Sequence, residues 1–296
     1  MRDHEHNRQP SKKDLAFIHA RKQAQQKITM LTGYDYPTAC IEDQAGIDII
    51  LVGDSVGTNV LGYASEREVT MEDMVHHLKA VRRGVVQAYL LADLPYQSYE
   101  TPPQAVANAT TLLNHGADAV KLEGGIEQVE TIRRLTAQGI TVCGHIGFTP
   151  QTLNQPGRKA RIQGRSSSQA IALLESAIAV EQAGAQLLVL ELIPEPLGKA
   201  ITDRLRIPTI GIGAGRFCDG QVLIIHDLLG LTPFQLRFVK RYQQYRELTL
   251  QAIAQYKHDV EQGVFPSGDT AFPMDADERL KVEQWTQQSR ARASWP

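Results

Sequence analysis

The chain has 296 residues, 31 Lys and Arg against 33 Asp and Glu, a formal net charge of -2 and 42% hydrophobic residues. That balance gives no electrostatic reason to expect nucleic acid or an anionic membrane as partner, and small molecules are the expected ligands. No apolar run approaches bilayer-spanning length, and the polar N-terminus MRDHEHNRQPSKKD lacks the apolar stretch of a secretory signal.

Residues 1–10 are expected to be a flexible N-terminus, and residues 12–25 a helix lying across the bottom of a barrel. KITMLTG reads as the first strand and is followed by a helix near Thr38 to Gln44. IDIILVGD is the second strand. A glycine-containing stretch from Ser55 to Val69 leads to a helix opening at Thr70, where TMED has the spacing of a capping box. QAYLLAD is the third strand, and Thr101-Pro102-Pro103 opens a helix reaching about Asn114. ADAVKLE is the fourth strand and ITVCGH the fifth, with a helix near Glu127 to Ala137 between them. A long polar loop, 146–165, precedes a helix from about Ser168 to Gln182. AQLLVLE, IPTIGIG and VLIIHDL complete eight strands, with a short helix near Pro196 to Leu205. A last amphipathic helix is expected to start near Thr232 or Pro233.

Strands alternating with helices eight times over predict a (β/α)8 TIM barrel with an N-terminal helix and a C-terminal helical extension. The catalytic domain is expected over 11–266, with a tail over 267–296 that is mobile or docks on a neighbour. A faint repeat supports the barrel: QAG, NHG and QAG precede strands two, four and six, each glycine at a helix end that needs positive φ. Cys40, Cys143 and Cys218 lack ligand-like spacing, and Cys143 sits inside an apolar strand. Reduced, packed thiols in a cytoplasmic protein are the expectation.

Four of these strands end in a carboxylate: Asp54, Asp93, Glu123 and Glu191. The fifth ends in His145. Buried parallel strands read as continuous Val, Ile and Leu, so charged last positions are out of character for core filling. In a parallel barrel all of them meet at one face, where such barrels build active sites. Asp54, in GDSVG, suits either a turn cap or a ligand position. Asp93, in ADLP, leads into a Leu-Pro step that keeps the chain extended and aims its side chain over the strand end. Two Asp on adjacent strands suit a hard cation such as Mg²⁺, whereas zinc would have a single imidazole and no thiolate. Lys121 and Glu123 lie two apart and so share one side of their strand. They are either a structural ion pair or partners of a ligand. Glu191, partly desolvated, suits a general base. His145 suits donating a hydrogen bond to a substrate oxygen or orienting a carboxylate, or else a satisfied strand-end position. His76 and His77 read as surface or packing residues, and the run Gly211 to Gly215 as a place of close backbone approach.

The ordered set TGYDYPTA, LVGDSVG, VTMEDMVHH, AVRRG, LLADLPYQSY, VKLEGG, VCGHIGFTPQ, QGR, AGAQLLVLE, IPTIGIGAG, DGQVLIIHDLLG and RFVKRY resembles the ketopantoate hydroxymethyltransferase family from about Ser11 to Pro266. The resemblance implies a TIM barrel assembled as a homo-oligomer, in that family usually a decamer. It implies hydroxymethyl transfer from 5,10-methylenetetrahydrofolate to 3-methyl-2-oxobutanoate, giving 2-dehydropantoate for pantothenate and coenzyme A biosynthesis. Asp54 and Asp93 would then hold Mg²⁺, with Glu123 close by. Asp54, Ser55, Asp93 and Lys121 would bind the keto acid. Glu191 would accept the proton, with Lys121 stabilising the enolate and His145 assisting. Three places depart from the family pattern. The loop NQPGRKARIQGR is one residue longer than usual, with Arg161 where Lys is common. Thr58 replaces the usual residue after GDSVG, and the tail is extended.

Two other readings stay open. One is a Mg²⁺-dependent enolate-forming barrel of the phosphoenolpyruvate mutase and isocitrate lyase type, although no cysteine-bearing lyase loop is present. The other is a catalytically silent barrel that only binds a ligand.

Overall fold

The computed structural model, which describes residues 11–153 and 161–292, closes eight parallel strands into a barrel in the order of the chain. They are β1 (Ile28–Thr32), β2 (Ile49–Val52), β3 (Tyr89–Asp93), β4 (Ala119–Glu123), β5 (Val142–Gly147), β6 (Leu187–Glu191), β7 (Thr209–Ile212) and β8 (Gly220–Leu223). The helices between them are α1 (Leu15–Gln23), α2 (Tyr36–Gln44), α3 (Met71–Gly84), α4 (Pro102–Asn114), α5 (Val129–Thr136), α6 (Pro150–Leu153), α7 (Ser167–Gln182), α8 (Glu195–Arg204) and α9 (Ile225–Leu229). Local chemistry starts several of them. Asp35 accepts from the Thr38 amide at 2.8 Å ahead of α2, Thr70 and Asp73 close a reciprocal capping box on α3, and Pro102 opens α4.

Alternation along the strands makes two cores. Val120 and Leu122 of β4 pack outward into the helix layer with Leu90, Leu188 and Leu190, while Ala119 joins Ile49, Leu91, Cys143 and Leu187 in the lumen. On three strands the lumen row begins apolar at the bottom and turns polar at the top. On β3 it runs Tyr89, Leu91, Asp93; on β4, Ala119, Lys121, Glu123; on β6, Leu187, Val189, Glu191. The charged positions therefore close the top of a lumen whose lower layers are filled.

The faint repeat has a structural role at the opposite end. Just before β2, β4, β6 and β8 stand Asp48, Asp118, Gln186 and Asp219. Each side chain accepts the backbone N–H of the preceding strand, from Thr29, Leu90, Val142 and Thr209 respectively, at 2.7–2.9 Å. The helix α1 and the residues leading into it meet all four. Lys13 pairs with Asp48 at 2.9 Å, Lys12 with Asp118 at 2.5 Å and Lys22 with Asp219 at 2.7 Å, while the His19 ring contacts the Gln186 carbonyl at 3.0 Å. Ile18, fully buried, enters the lumen cluster from below. The expected N-terminal helix across the barrel bottom is thus present, as a plug held by charge at its rim.

Three expectations need correction. VLIIHDL is strand only as far as Leu223; the rest is α9, closed by Gly230 at φ +71°. A short apolar run does not distinguish a strand from a buried helix by pattern alone. No helix begins at Thr232: the carbonyls of Thr232 and Phe234 accept from the Arg241 guanidinium at 2.9 and 2.6 Å, and the next helix opens only at Tyr245. The loop expected over 146–165 contains α6, while residues 154–160 with most of the departing loop sequence, the expected flexible terminus 1–10 and the last residues 293–296 lie outside the described residues.

The chain divides into two compact units at Gln243 and Gln244, ahead of the boundary expected at 266. The second unit contains α10 (Tyr245–Glu261) and α11 (Ala276–Arg292). Its apolar side chains are open to solvent, among them Leu248, Ile253, Tyr256 and Trp285. Among the described residues no helix is long and apolar enough to cross a membrane.

Candidate active site

The mouth of the barrel holds a cavity of about 370 Å³, and Asp54, Ser55, Asp93, Lys121, Glu123, His145 and Glu191 all line it. A larger shallow groove of about 510 Å³ runs along α10, lined by Leu248, Ile253 and Tyr256 with no carboxylate, amine or imidazole, and offers no chemistry. Strand register assembles the site. Asp93 and Lys121 are partners across β3 and β4, Glu123 and His145 across β4 and β5, and Gly147 and Glu191 across β5 and β6. Asp54 stands two residues beyond β2, in the turn that enters the π-helical segment Gly57–Leu61.

Lys121 pairs with Asp93 (Nζ to Oδ1, 3.1 Å) and lies 3.3 Å from His145 Nδ1. Of the two readings left open for Lys121 and Glu123, a structural ion pair between them is not formed; Lys121 pairs across the strands instead. Residues two apart on a strand stand nearly 7 Å apart, whereas neighbouring strands are separated by about 4.8 Å. Glu123 turns instead to His145, with Oε1 3.4 Å from Nδ1, and Glu191 Oε2 lies 3.2 Å from the other ring nitrogen. His145 is thus held between two carboxylates. Burial and the Lys121 charge push its pKa down, but the two carboxylates outweigh them and push it up to about 9.

Asp54, Asp93, Lys121, Glu123 and His145 each expose no more than 5% of their surface. Burial first, then the charges of Asp93 and Glu123, hold the Asp54 carboxyl well above the usual carboxylate range. Asp93 is raised by burial, against the opposing pull of Lys121. Burial opposes the charge on Lys121, but Asp93, Glu123 and Asp54 override it and keep the ammonium protonated. Glu191 is also raised, chiefly by burial, with His145 opposing. Four carboxyl groups face one ammonium and one imidazole. With all of them ionised the centre carries two surplus negative charges, which a divalent cation matches.

The donor set fits such an ion. Asp93 accepts the Asp54 amide through Oδ2 at 3.0 Å, while its buried Oδ1 faces the Lys121 ammonium at 3.1 Å and has no other partner among the described residues. Among the described residues no three Asp, Glu, His or Cys side chains form a ready-made chelate. Mg²⁺ takes one or two carboxylates and fills its octahedron with water and substrate oxygens, a demand that Asp54 and Asp93 could meet.

Ser55 reaches the cavity with its hydroxyl 2.8 Å from that of Tyr34, which burial holds largely un-ionised. His77 is a packing residue, its ring bonded to the Tyr34 carbonyl at 2.7 Å. The glycine run serves close packing: a Cβ on Gly213, which has φ +63°, would lie 2.9 Å from Leu192 and 3.2 Å from Phe238. Sequence reasoning missed Leu236, Arg237 and Phe238, which line the cavity from the segment expected to be helical. It also missed Gln151 on α6. The motif GFTPQ ends in that residue, but no spacing marks it as part of the site.

A model of the family described as ketopantoate hydroxymethyltransferase matches residues 12–268. A 3-methyl-2-oxobutanoate hydroxymethyltransferase of Chloroflexus aurantiacus is 51% identical over 252 residues, which cover 84% of this chain and 89% of that protein. Proteins of the same name from Thermosipho africanus and Thermotoga maritima are 50% and 49% identical, covering 83% and 85% of this chain and 94% of each relative. Among solved structures, a phosphonopyruvate hydrolase bound to oxalate and Mg²⁺ superposes with a TM-score of 0.59 at 12% identity, covering 96% of this chain and 99% of that one. A 2,3-dimethylmalate lyase superposes at 0.56 with 14% identity, covering 92% and 98%. At those identities the likeness is one of fold.

Proposed function

Since the chain belongs to the ketopantoate hydroxymethyltransferase family, we propose that it transfers a hydroxymethyl group from 5,10-methylenetetrahydrofolate to 3-methyl-2-oxobutanoate, giving 2-dehydropantoate in pantothenate biosynthesis. The observation that carries this reading is the convergence of four carboxylates, Lys121 and His145 on one cavity at the C-terminal face of the barrel. The cavity suits a short branched keto acid: its upper wall is charged, and below lie Leu51, Val189 and Val222.

Asp54 and Asp93 would hold Mg²⁺, with Glu123 close enough to act through water. Bound there, the ion would supply Lewis-acid stabilisation to negative charge at the keto oxygen. Lys121, kept protonated by its three carboxylate neighbours, sets a fixed positive charge against the anionic substrate. Glu191, with its basicity raised by burial, is the base for the C3 proton, and His145 beside it carries charge that steadies the carboxylate. Net, the C3–H bond breaks and C3 bonds to the donated methylene carbon. That carbon leaves both folate nitrogens, and water supplies the hydroxyl.

The protein is further proposed to act in the cytoplasm as a homo-oligomer. The resemblance and the open apolar face of α10 support assembly. The test is an aldol assay with both substrates, with and without EDTA. Formation of 2-dehydropantoate that EDTA abolishes and Mg²⁺ restores is the expected outcome. Cleavage of isocitrate or 2-methylisocitrate in its place would overturn the reading.

A further inference from the structure

We infer that Gln151 is a positioning residue for the metal-binding carboxylates, holding Asp54 and Glu123 in set orientations before an ion arrives. The inference rests on the Mg²⁺ reading above. Gln151 is 1% exposed and stands on the short helix α6, immediately after β5. Its side-chain amide donates to Asp54 Oδ2 at 2.7 Å and to the Leu94 carbonyl at 3.0 Å. The Tyr99 hydroxyl donates to its Oε1, and its backbone N–H donates to Glu123 Oε2 at 2.9 Å. One residue thereby ties together the C-terminal ends of β2, β3 and β4 from the side of β5.

The inventory of the amide closes. A glutamine side chain has two N–H donors and one carbonyl, and here both donors and the carbonyl are engaged. Its orientation is also settled by chemistry. Turned over, the carbonyl oxygen would face a carboxylate oxygen and a backbone carbonyl, two repulsive contacts in a buried site. The amide consequently presents a donor to Asp54 Oδ2 and sets the plane of that carboxylate, with Oδ1 the oxygen it leaves unengaged. Glu123 has Oε2 taken in the same way, with Oε1 beside His145. One oxygen of each carboxylate thus already accepts a hydrogen bond, which fixes the plane of the group and favours the other oxygen for an ion. The arrangement fits an ion held by single oxygens and completed by water and substrate. It also spares binding the cost of ordering two buried side chains.

Outer partners of metal-ligating carboxylates typically contribute roughly 10–100-fold to metal affinity. The test is calorimetric titration of the full-length protein with Mg²⁺, in the presence of 3-methyl-2-oxobutanoate. Two variants are compared with wild type, and their melting temperatures are measured alongside. Gln151→Leu keeps the backbone N–H to Glu123 and removes the amide without adding charge beside the cation site. Gln151→Met keeps the length and loses the whole amide. Both are expected to bind Mg²⁺ about 10–100-fold more weakly while remaining folded. If either folded variant binds Mg²⁺ within about twofold of wild type and only its melting temperature falls, Gln151 is a tie in the fold and the inference is overturned. A wild-type protein that takes up no Mg²⁺ would overturn the metal reading, and this inference with it.

Discussion

Lys121 illustrates how single residues are balanced at this site. Burial alone would strip an ammonium of its charge, yet Asp93 at 3.1 Å and the charges of Glu123 and Asp54 reverse that preference. Replacing it with Met keeps the bulk and removes the charge. A hydrogen bond to a charged group is worth about 1.5–3 kcal/mol, so the KM for the keto acid is expected to rise roughly 10–150-fold. Steady-state kinetics at saturating Mg²⁺ measure this, and an unchanged KM would leave Lys121 a purely structural partner of Asp93. Glu191→Gln keeps shape and removes basicity. Loss of C3 hydrogen exchange into D₂O, followed by NMR with Mg²⁺ and without folate, is expected at about 10²–10⁴-fold. Near-wild-type exchange would move the role of base to His145, whose ring lies 3.2 Å away.

Among the elements, α1 and α2 support the site without touching it. Ile18 of α1 is fully buried against the lowest lumen layer, and trimming it to Ala is expected to cost about 2–5 kcal/mol. Chemical denaturation would read this as a lowered midpoint, with the KM for the keto acid unchanged because the site is at the other end of the barrel. In α2, Glu42 is 3% exposed and both its carboxylate oxygens lack hydrogen-bond partners among the described residues. Burial, with a contribution from Asp35, pushes its pKa up to about 8 from 4.5. A carboxyl group whose pKa is raised by folding contributes its full stability below about 4.5. That contribution is lost as pH rises through about 8. Glu42→Gln should therefore melt close to wild type at the acid end and progressively above it as pH approaches 8. A melting difference independent of pH would show that Glu42 is not the titrating group.

For the whole molecule, the proposed homo-oligomer is expected to use the second unit. Leu248, Ile253 and Tyr256 of α10 are between 51% and 60% exposed, an unusual cost for a helix that stays in water. The full chain is expected to run well above its monomer mass of 32.8 kDa in mass photometry. Ile253→Asp with Tyr256→Ser should shift it toward that value. A wild-type chain at monomer mass would remove the assembly proposal.

Much of this was legible from the residues alone. Carboxylates ending apolar strands stand out because burying a charge is costly, so Asp54, Asp93, Glu123 and Glu191 could be gathered before any fold was known. The parallel barrel followed from alternation, and the shared side of Lys121 and Glu123 from the two-residue period of a strand. The partners of these groups were not legible. Lys121 bonds Asp93 rather than Glu123 because the distance across strands is shorter than the distance along one. His145 sits between Glu123 and Glu191 because β4, β5 and β6 pair in a particular register. Gln151 reaches Asp54 across 97 residues of chain, and the segment after Gly230 gives its carbonyls to Arg241 in place of a helix. The sequence by itself determined which side chains could carry charge at the mouth of the barrel, because side-chain type and strand period are local. Only the closed tertiary structure decided which of them touch, because register and distance across strands belong to the whole barrel.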